Sequence, residues 1–118
     1  MIKTVEPSVI WRYDVQLRSP TGLHPIAMSR LARVLHVEPS DREPDGVAIW
    51  VLLPDWATKD KIDRFFEIHG TGHAIPAGRV YVGSWQVPPY VWHLFEIDPS
   101  LQRAAAIDHA QKAAAEEV

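Results

Sequence analysis

The stretch VIWRYDVQLR, residues 9–18, alternates apolar and polar side chains without a break. Trp11, Tyr13, Val15 and Leu17 fall on one side of an extended chain, and Arg12, Asp14, Gln16 and Arg18 on the other. A period of two does not fit a helix and marks a strand with one buried face. Runs of the same kind recur as far as residue 97, separated by proline and glycine breaks. HPIAM reads as a short edge strand, because Pro25 cannot donate to a ladder. ARVLHVEP is the next strand and ends at Pro39; SDREPDG after it is an exposed, charged loop. VAIWVLLP is apolar on both faces, which predicts a central strand covered on one side by other strands and on the other by something else. DWATKD is a turn in which Asp55 and Thr58 could start one helical turn. KIDRFFEIHG sets Ile62, Arg64, Phe66 and Ile68 against Asp63, Phe65, Glu67 and His69. RVYVGSWQV and YVWHLFEI flank Pro88 and Pro89 and read as a hairpin.

From residue 98 the pattern changes. DPSLQRAAAIDHAQKAAAEEV has a capping Asp98, Pro99 at the first helical position and no later breaker, so it predicts one long helix. Its large apolar side chains are Leu101 and Ile107, and its apolar stripe is weak. Either its first half docks on the sheet, or it packs against another copy and forms a homo-oligomer. The predicted class is α+β, mainly β: an antiparallel sheet or sandwich of five to seven strands with one C-terminal α-helix. The expected division is a β domain over 1–98 and a helical extension over 99–118.

Composition narrows the function classes. The chain has 118 residues, which suits one domain, and 47% apolar with 23% charged residues is a folded mixture. It contains no cysteine, so disulfides and thiolate chemistry are excluded. A net charge of −3 argues against a general nucleic-acid binder. No apolar stretch approaches the ~20 residues of a membrane span, and MIKTVEPSVIW lacks the apolar segment of a leader. The expectation is a soluble protein made inside a cell, with neither nucleic acid nor membrane as partner. The five tryptophans, Trp11, Trp50, Trp56, Trp85 and Trp92, read first as economical filling of a small core, and second as surfaces for ligand stacking.

IHGTGHAIPAG, residues 68–78, is the segment closest to a chemical motif. His69 and His73 stand four apart, but Gly70 and Gly72 between them oppose a helix on which both imidazoles would converge. A third metal ligand would have to come from His93 or His36 through folding, and no HExxH is present; no metal and no cofactor is predicted. HGTGH does not match a P-loop, although a Gly-Thr-Gly turn can present backbone N–H groups to an anion. The favoured reading is a structural turn, in which the glycines supply positive φ or close approach and Thr71 and His73 hydrogen-bond the turn. Ser84 in VGSWQ lacks the second glycine of a nucleophile elbow, so no catalytic residue is assigned. A Ser84 constellation with His73 or His93 and a carboxylate stays open. Arg12, Tyr13, Asp14 and Arg64 read as ordinary solvated strand positions.

IWRYDVQL, VAIWVLLPD, RFFEIHGTGHAIP, YVGSWQ and YVWHLFEI, in this order, resemble a family of small uncharacterised bacteriophage proteins frequent in phages of actinobacteria. The resemblance covers about residues 9–97. The GTGH turn together with the final HLFE-like strand is its specific pair, so Gly70, Thr71, Gly72, His73 and His93 match the family pattern. Ala74-Ile75-Pro76, His69 and Ser84 depart from it. The resemblance implies a phage accessory protein without implying a reaction. The expected function is a non-enzymatic binding module in the host cytoplasm, acting on a host protein or sequestering a small anionic ligand. The alternatives are a virion component, such as a capsid decoration or minor tail protein, and a small His-dependent hydrolase. For a small ligand, Trp85 or Trp92 would stack, Gly70–Gly72 would donate N–H groups, and Arg79 or Arg64 would supply charge.

Overall fold

The computed structural model describes residues 7–16 and 22–116; the expected positions of Leu17, Arg18 and the Ser19–Thr21 part of the first turn lie outside them. Seven strands form two antiparallel sheets. They are β1 (Ser8–Gln16), β2 (His24–Ser29), β3 (Arg33–Pro39), β4 (Gly46–Pro54), β5 (Lys61–Gly70), β6 (Arg79–Val87) and β7 (Tyr90–Ile97), followed by one helix, α1 (Gln102–Glu116). The first sheet has the order β1-β4-β3 and the second β2-β5-β7-β6. The 3₁₀ turn Asp55–Ala57 fills the expected DWATKD turn, and a second, Pro99–Leu101, leads into α1. The β6–β7 hairpin turns at Pro88–Pro89, whose peptide bond is cis, with Val87 paired to Tyr90.

The main core lies between the sheets. Val47, Ile49, Val51 and Leu53 from β4 face Ile26, Met28, Phe66, Ile68, Trp85 and Leu94 from the second sheet. Trp11, Tyr13 and Val15 pack against them from β1, on the face that the alternation predicts. β4 is the central strand of its sheet, as its two apolar faces require. What covers its outer face is not the helix but neighbouring side chains. Arg12 stacks on Trp50 at 4.9 Å and His36 lies 5.4 Å from the same ring. The helix goes to the other sheet instead.

α1 docks through a stripe different from the one its large residues suggest. Leu101 and Ile107 are 40% and 50% exposed, whereas Ala105 is buried against Phe65 and Ile97. His109 stacks at 5.5 Å on Phe65. Gln102 supplies the anchor: its Oε1 accepts from Phe65 N at 2.9 Å and its Nε2 donates to Ile97 O at 2.7 Å. It thereby continues the β5–β7 ladder where direct pairing stops at Phe66 and Glu96. Residues 102, 105, 106 and 109 form an i, i+3, i+4, i+7 stripe of small and polar side chains. A docking stripe without large apolar residues is invisible to a hydrophobicity count. Asp98 caps the turn, accepting from Ser100 Oγ at 2.6 Å and from Ser100 N at 2.9 Å, and these bonds, the hydroxyl first, hold its carboxyl below the usual range.

The two sheets meet along one edge. β3 carries a bulge between Val34 and His36, and β6 one between Tyr81 and Gly83. Bulges bend a strand and increase its twist, and here they lie on the two edges that approach each other. Gly83 is required there, because a Cβ on it would stand 2.5 Å from Val37 Cγ2. Arg64, expected to be solvated, instead fills the inner face of β5. It forms a two-pronged ion pair with Glu96, both bonds 2.7 Å, and donates to Ser29 O at 2.8 Å and Ala32 O at 2.7 Å. It thus ties the β2–β3 turn to the second sheet.

Candidate functional site

The GTGH segment is a tight turn. His73 N donates to Gly70 O at 3.2 Å, and Gly72 has φ +90° with no atom near its missing Cβ. This fits a type II turn, which needs φ above zero at its third residue. Gly70 serves close approach: a Cβ there would lie 3.1 Å from the His73 ring and 3.3 Å from Trp92. Its N–H is already taken, donated to His73 Nδ1 at 3.2 Å. The turn therefore consumes part of the N–H set that an anion would need.

Alternation then separates the expected site residues. Gly70 pairs with Trp92, so His73 folds over the Trp92 side of the second sheet. His69 pairs with His93 one residue along, and both point to the opposite face. His73 therefore meets neither of the other two. Trp85 is in the core at 8% exposure and offers no face for stacking. Trp92 is half-buried, packs on the core and lies 5.9 Å from Tyr90. Arg79 does not supply a free charge: it grips Glu67 through Nε at 2.9 Å and Nη2 at 2.8 Å and donates Nη1 to Ala77 O. Arg79 first, and His69 secondarily, hold the Glu67 carboxyl below its usual range against the opposing effect of burial. His69 Nε2 stands 3.0 Å from Glu67 Oε1. Among the described residues no three His, Asp or Glu side chains gather as metal ligands do.

What the fold does bring together is a polar chain on the outer face of the second sheet. Tyr81 OH lies 2.7 Å from Ser84 Oγ, Ser84 Oγ 2.7 Å from His93 Nδ1, and His93 Nε2 2.9 Å from Thr71 Oγ1. Strands β6 and β7 and the turn after β5 build it, because Ser84 pairs with His93 and His93 with His69, two residues before Thr71. Phe95 beside it is met edge-on by His69 and Tyr81, each with centroids 5.6 Å away. A serine bonded to imidazole is the start of a nucleophilic arrangement, but the second imidazole nitrogen meets a threonine where a carboxylate would orient and stabilise the imidazolium. As a donor–acceptor array the chain is complete in itself.

A second feature was not legible as a motif. Leu31, Trp56 and Ile62 are 48%, 58% and 50% exposed, and all three line one groove of about 410 Å³. Ser29 and Ala57, both buried, also line it, and Arg30, Asp60 and Lys61 bring two cations and one anion. The volume is in the range of small-ligand and side-chain pockets. The available signal was a tryptophan in an otherwise polar turn, DWATKD, where core filling is not a sufficient reason for it. The remaining residues come from the β2–β3 turn and the start of β5, and only folding joins them.

These features define a small two-sheet antiparallel β protein with a docked C-terminal helix, a closed polar array on one face and an open apolar groove at one end. The chain belongs to a family described as a domain of unknown function, DUF7352, whose model matches residues 7–104. The match takes in all seven strands and runs into α1 as far as Ala104, so that Gln102 lies within it. No curated protein and no solved structure matches the chain.

Proposed function

We propose that the protein is a non-enzymatic binding module and that the groove lined by Leu31, Trp56 and Ile62 is its contact surface. The observation carrying this reading is the convergence of three large, half-exposed apolar side chains on one groove. Clustered exposed apolar surface with a polar rim characterises interaction sites, and a tryptophan at the centre is the commonest anchor residue. The excess of cations, Arg30 and Lys61 against Asp60, in a chain of net charge −3 favours an acidic partner segment or a small anionic ligand. The motif resemblance to actinobacteriophage proteins supports a phage-encoded protein acting on a component of the infected host.

The test is binding measured with and without the anchor. Native mass spectrometry of the protein purified from its own cells reveals a retained ligand or partner. Trp56→Ala is expected to weaken that complex by about 2 kcal/mol, roughly thirtyfold in Kd, with an unchanged circular dichroism spectrum. Undiminished binding by Trp56→Ala and by Leu31→Asp would remove the groove from the function.

The Ser84–His93 contact favours one second reading, a small hydrolase with Ser84 as nucleophile and His93 as base. A burst of acyl-enzyme on activated esters, abolished by Ser84→Ala, would establish it. The absence of any such burst leaves the array as structural hydrogen bonding.

A further inference from the structure

The end of the fold that holds the Trp56 groove has an unusual distribution of charge. Elsewhere among the described residues, cations meet carboxylates: Arg12 and Arg42 meet Asp14, Arg64 meets Glu96, Arg79 meets Glu67 and Lys112 meets Asp108. Arg30, Arg33, Lys59 and Lys61 are exposed and make no ion pair among the described residues. Arg103, on α1, is the one other described cation in that condition. The four are neighbours. Arg30 and Arg33 bound the β2–β3 turn, and Lys59 and Lys61 close the β4–β5 turn. Ser29 pairs with Lys61 in the β2–β5 ladder, which sets the two turns side by side. The Lys61 ammonium lies 5.5 Å from the Trp11 ring, a contact with a π face and not with an anion. Asp55 and Asp60 are the acidic residues of these turns, so four cations stand against two carboxylates in a chain of net charge −3. Arg30 and Lys61 themselves line the groove.

We infer, resting on the reading of this groove as the contact surface, that its occupant is an acidic peptide segment of a partner protein. One large apolar side chain sits against Leu31, Trp56 and Ile62, and aspartate or glutamate beside it in the peptide reaches Arg30 and Lys61. The charge pattern selects the sign. Cations without a carboxylate on an apolar rim are completed by an anionic partner, and the negative charge of the rest of the chain disfavours such a partner elsewhere on the surface. The openness of the groove selects a peptide over a small molecule. Leu31, Trp56 and Ile62 are 48%, 58% and 50% exposed, so a small ligand among them stays wet on one side, whereas small-ligand sites enclose about 70–90% of their ligand. A side chain presented by a larger partner needs less enclosure, because the neighbouring residues of that partner cover the rim and exclude water. Arg33 and Lys59, on the flanks of the same turns, extend the field beyond the groove and favour an acidic stretch over a single carboxylate.

Selection of a random linear peptide library on the immobilised full-length protein tests this, followed by titration of the enriched peptides. The expected winners carry aspartate or glutamate on both sides of a large apolar residue. Their affinity should fall about tenfold as salt rises from about 0.01 to about 0.15 M. Arg30→Glu/Lys61→Glu changes two exposed side chains and should weaken them by roughly tenfold or more. A peptide with its acidic residues replaced by lysine should regain binding to that variant, which a misfolded protein would not allow. Winners that need Trp56 but carry no acidic residues, or bind equally at all salt concentrations, overturn the acidic partner and leave the groove as the contact surface. So does a small anion that copurifies with the wild type and is lost in Trp56→Ala. A library that enriches nothing, or winners that bind Trp56→Ala undiminished, overturns the groove reading and this inference together.

Discussion

Removing the Arg64 side chain probes how the two sheets are held in place. Arg64 and Glu96 are 11% and 17% exposed, and all four hydrogen bonds of the guanidinium are 2.7–2.8 Å long. Arg64→Met keeps much of the apolar stem but leaves a largely buried carboxylate without its cation and Ala32 O without this donor, while Ser29 O keeps Ala32 N at 3.0 Å. Breaking a buried pair from one side costs about 3–5 kcal/mol, and an orphaned acceptor about 1–3 kcal/mol more. Residual solvent access to the pair takes the total below that sum, to about 3–4 kcal/mol. A domain's whole stability is about 5–15 kcal/mol, so the variant should melt about 12–16 °C lower, at about 4 °C per kcal/mol. The double change Arg64→Met/Glu96→Leu removes the uncompensated charge and should recover about half of that loss, Ala32 O still lacking the Arg64 donor. Urea unfolding followed by tryptophan fluorescence, run as a double-mutant cycle, measures both. A cost below about 1 kcal/mol for Arg64→Met, or a double variant no more stable than the single one, would refute the assignment of Arg64 as the tie between the β2–β3 turn and the second sheet.

Gly83→Ala forces a Cβ into Val37 at the joined edge and should cost about 1–3 kcal/mol, measured by the same unfolding curve. Because the Glu67 carboxyl is held below its usual range by Arg79, its stabilisation is complete above about pH 4.3. It fades as pH falls through that value towards the lower folded one, where the unfolded chain binds more protons. The acid side of a melting-temperature profile should therefore slope less steeply in Glu67→Gln; an identical slope would show that the ion pair adds nothing. Gln102→Ala uncouples α1 from Phe65 and Ile97 and should raise exchange of the Phe65 amide and helix amides while the main-core amides stay protected. Loss of protection throughout would mean that the helix and sandwich unfold as one unit.

The local pattern settled the elements. Alternation in β1, double-sided apolarity in β4, Pro25 at an edge and the Asp98-Pro99 start of the helical segment each report a backbone requirement met by near neighbours in sequence, so the seven strands and single helix were legible before folding. The faces of β5 followed too, but not what they hold. Arg64 reads as a solvated position because a strand pattern marks parity and not which charges find partners across a sheet. The candidate site was less legible still. His93 and Ser84 come from two strands and Thr71 from the turn after a third, and Leu31, Trp56 and Ile62 from a strand turn, a 3₁₀ turn and a strand start. His69 and His73, four residues apart in the chain, end on opposite faces because the turn at Gly72 reverses between them. Parity and punctuation are written along the chain; register, sheet order and the docking of α1 through Gln102 and Ala105 depend on contacts between distant segments, and only the tertiary structure decides them.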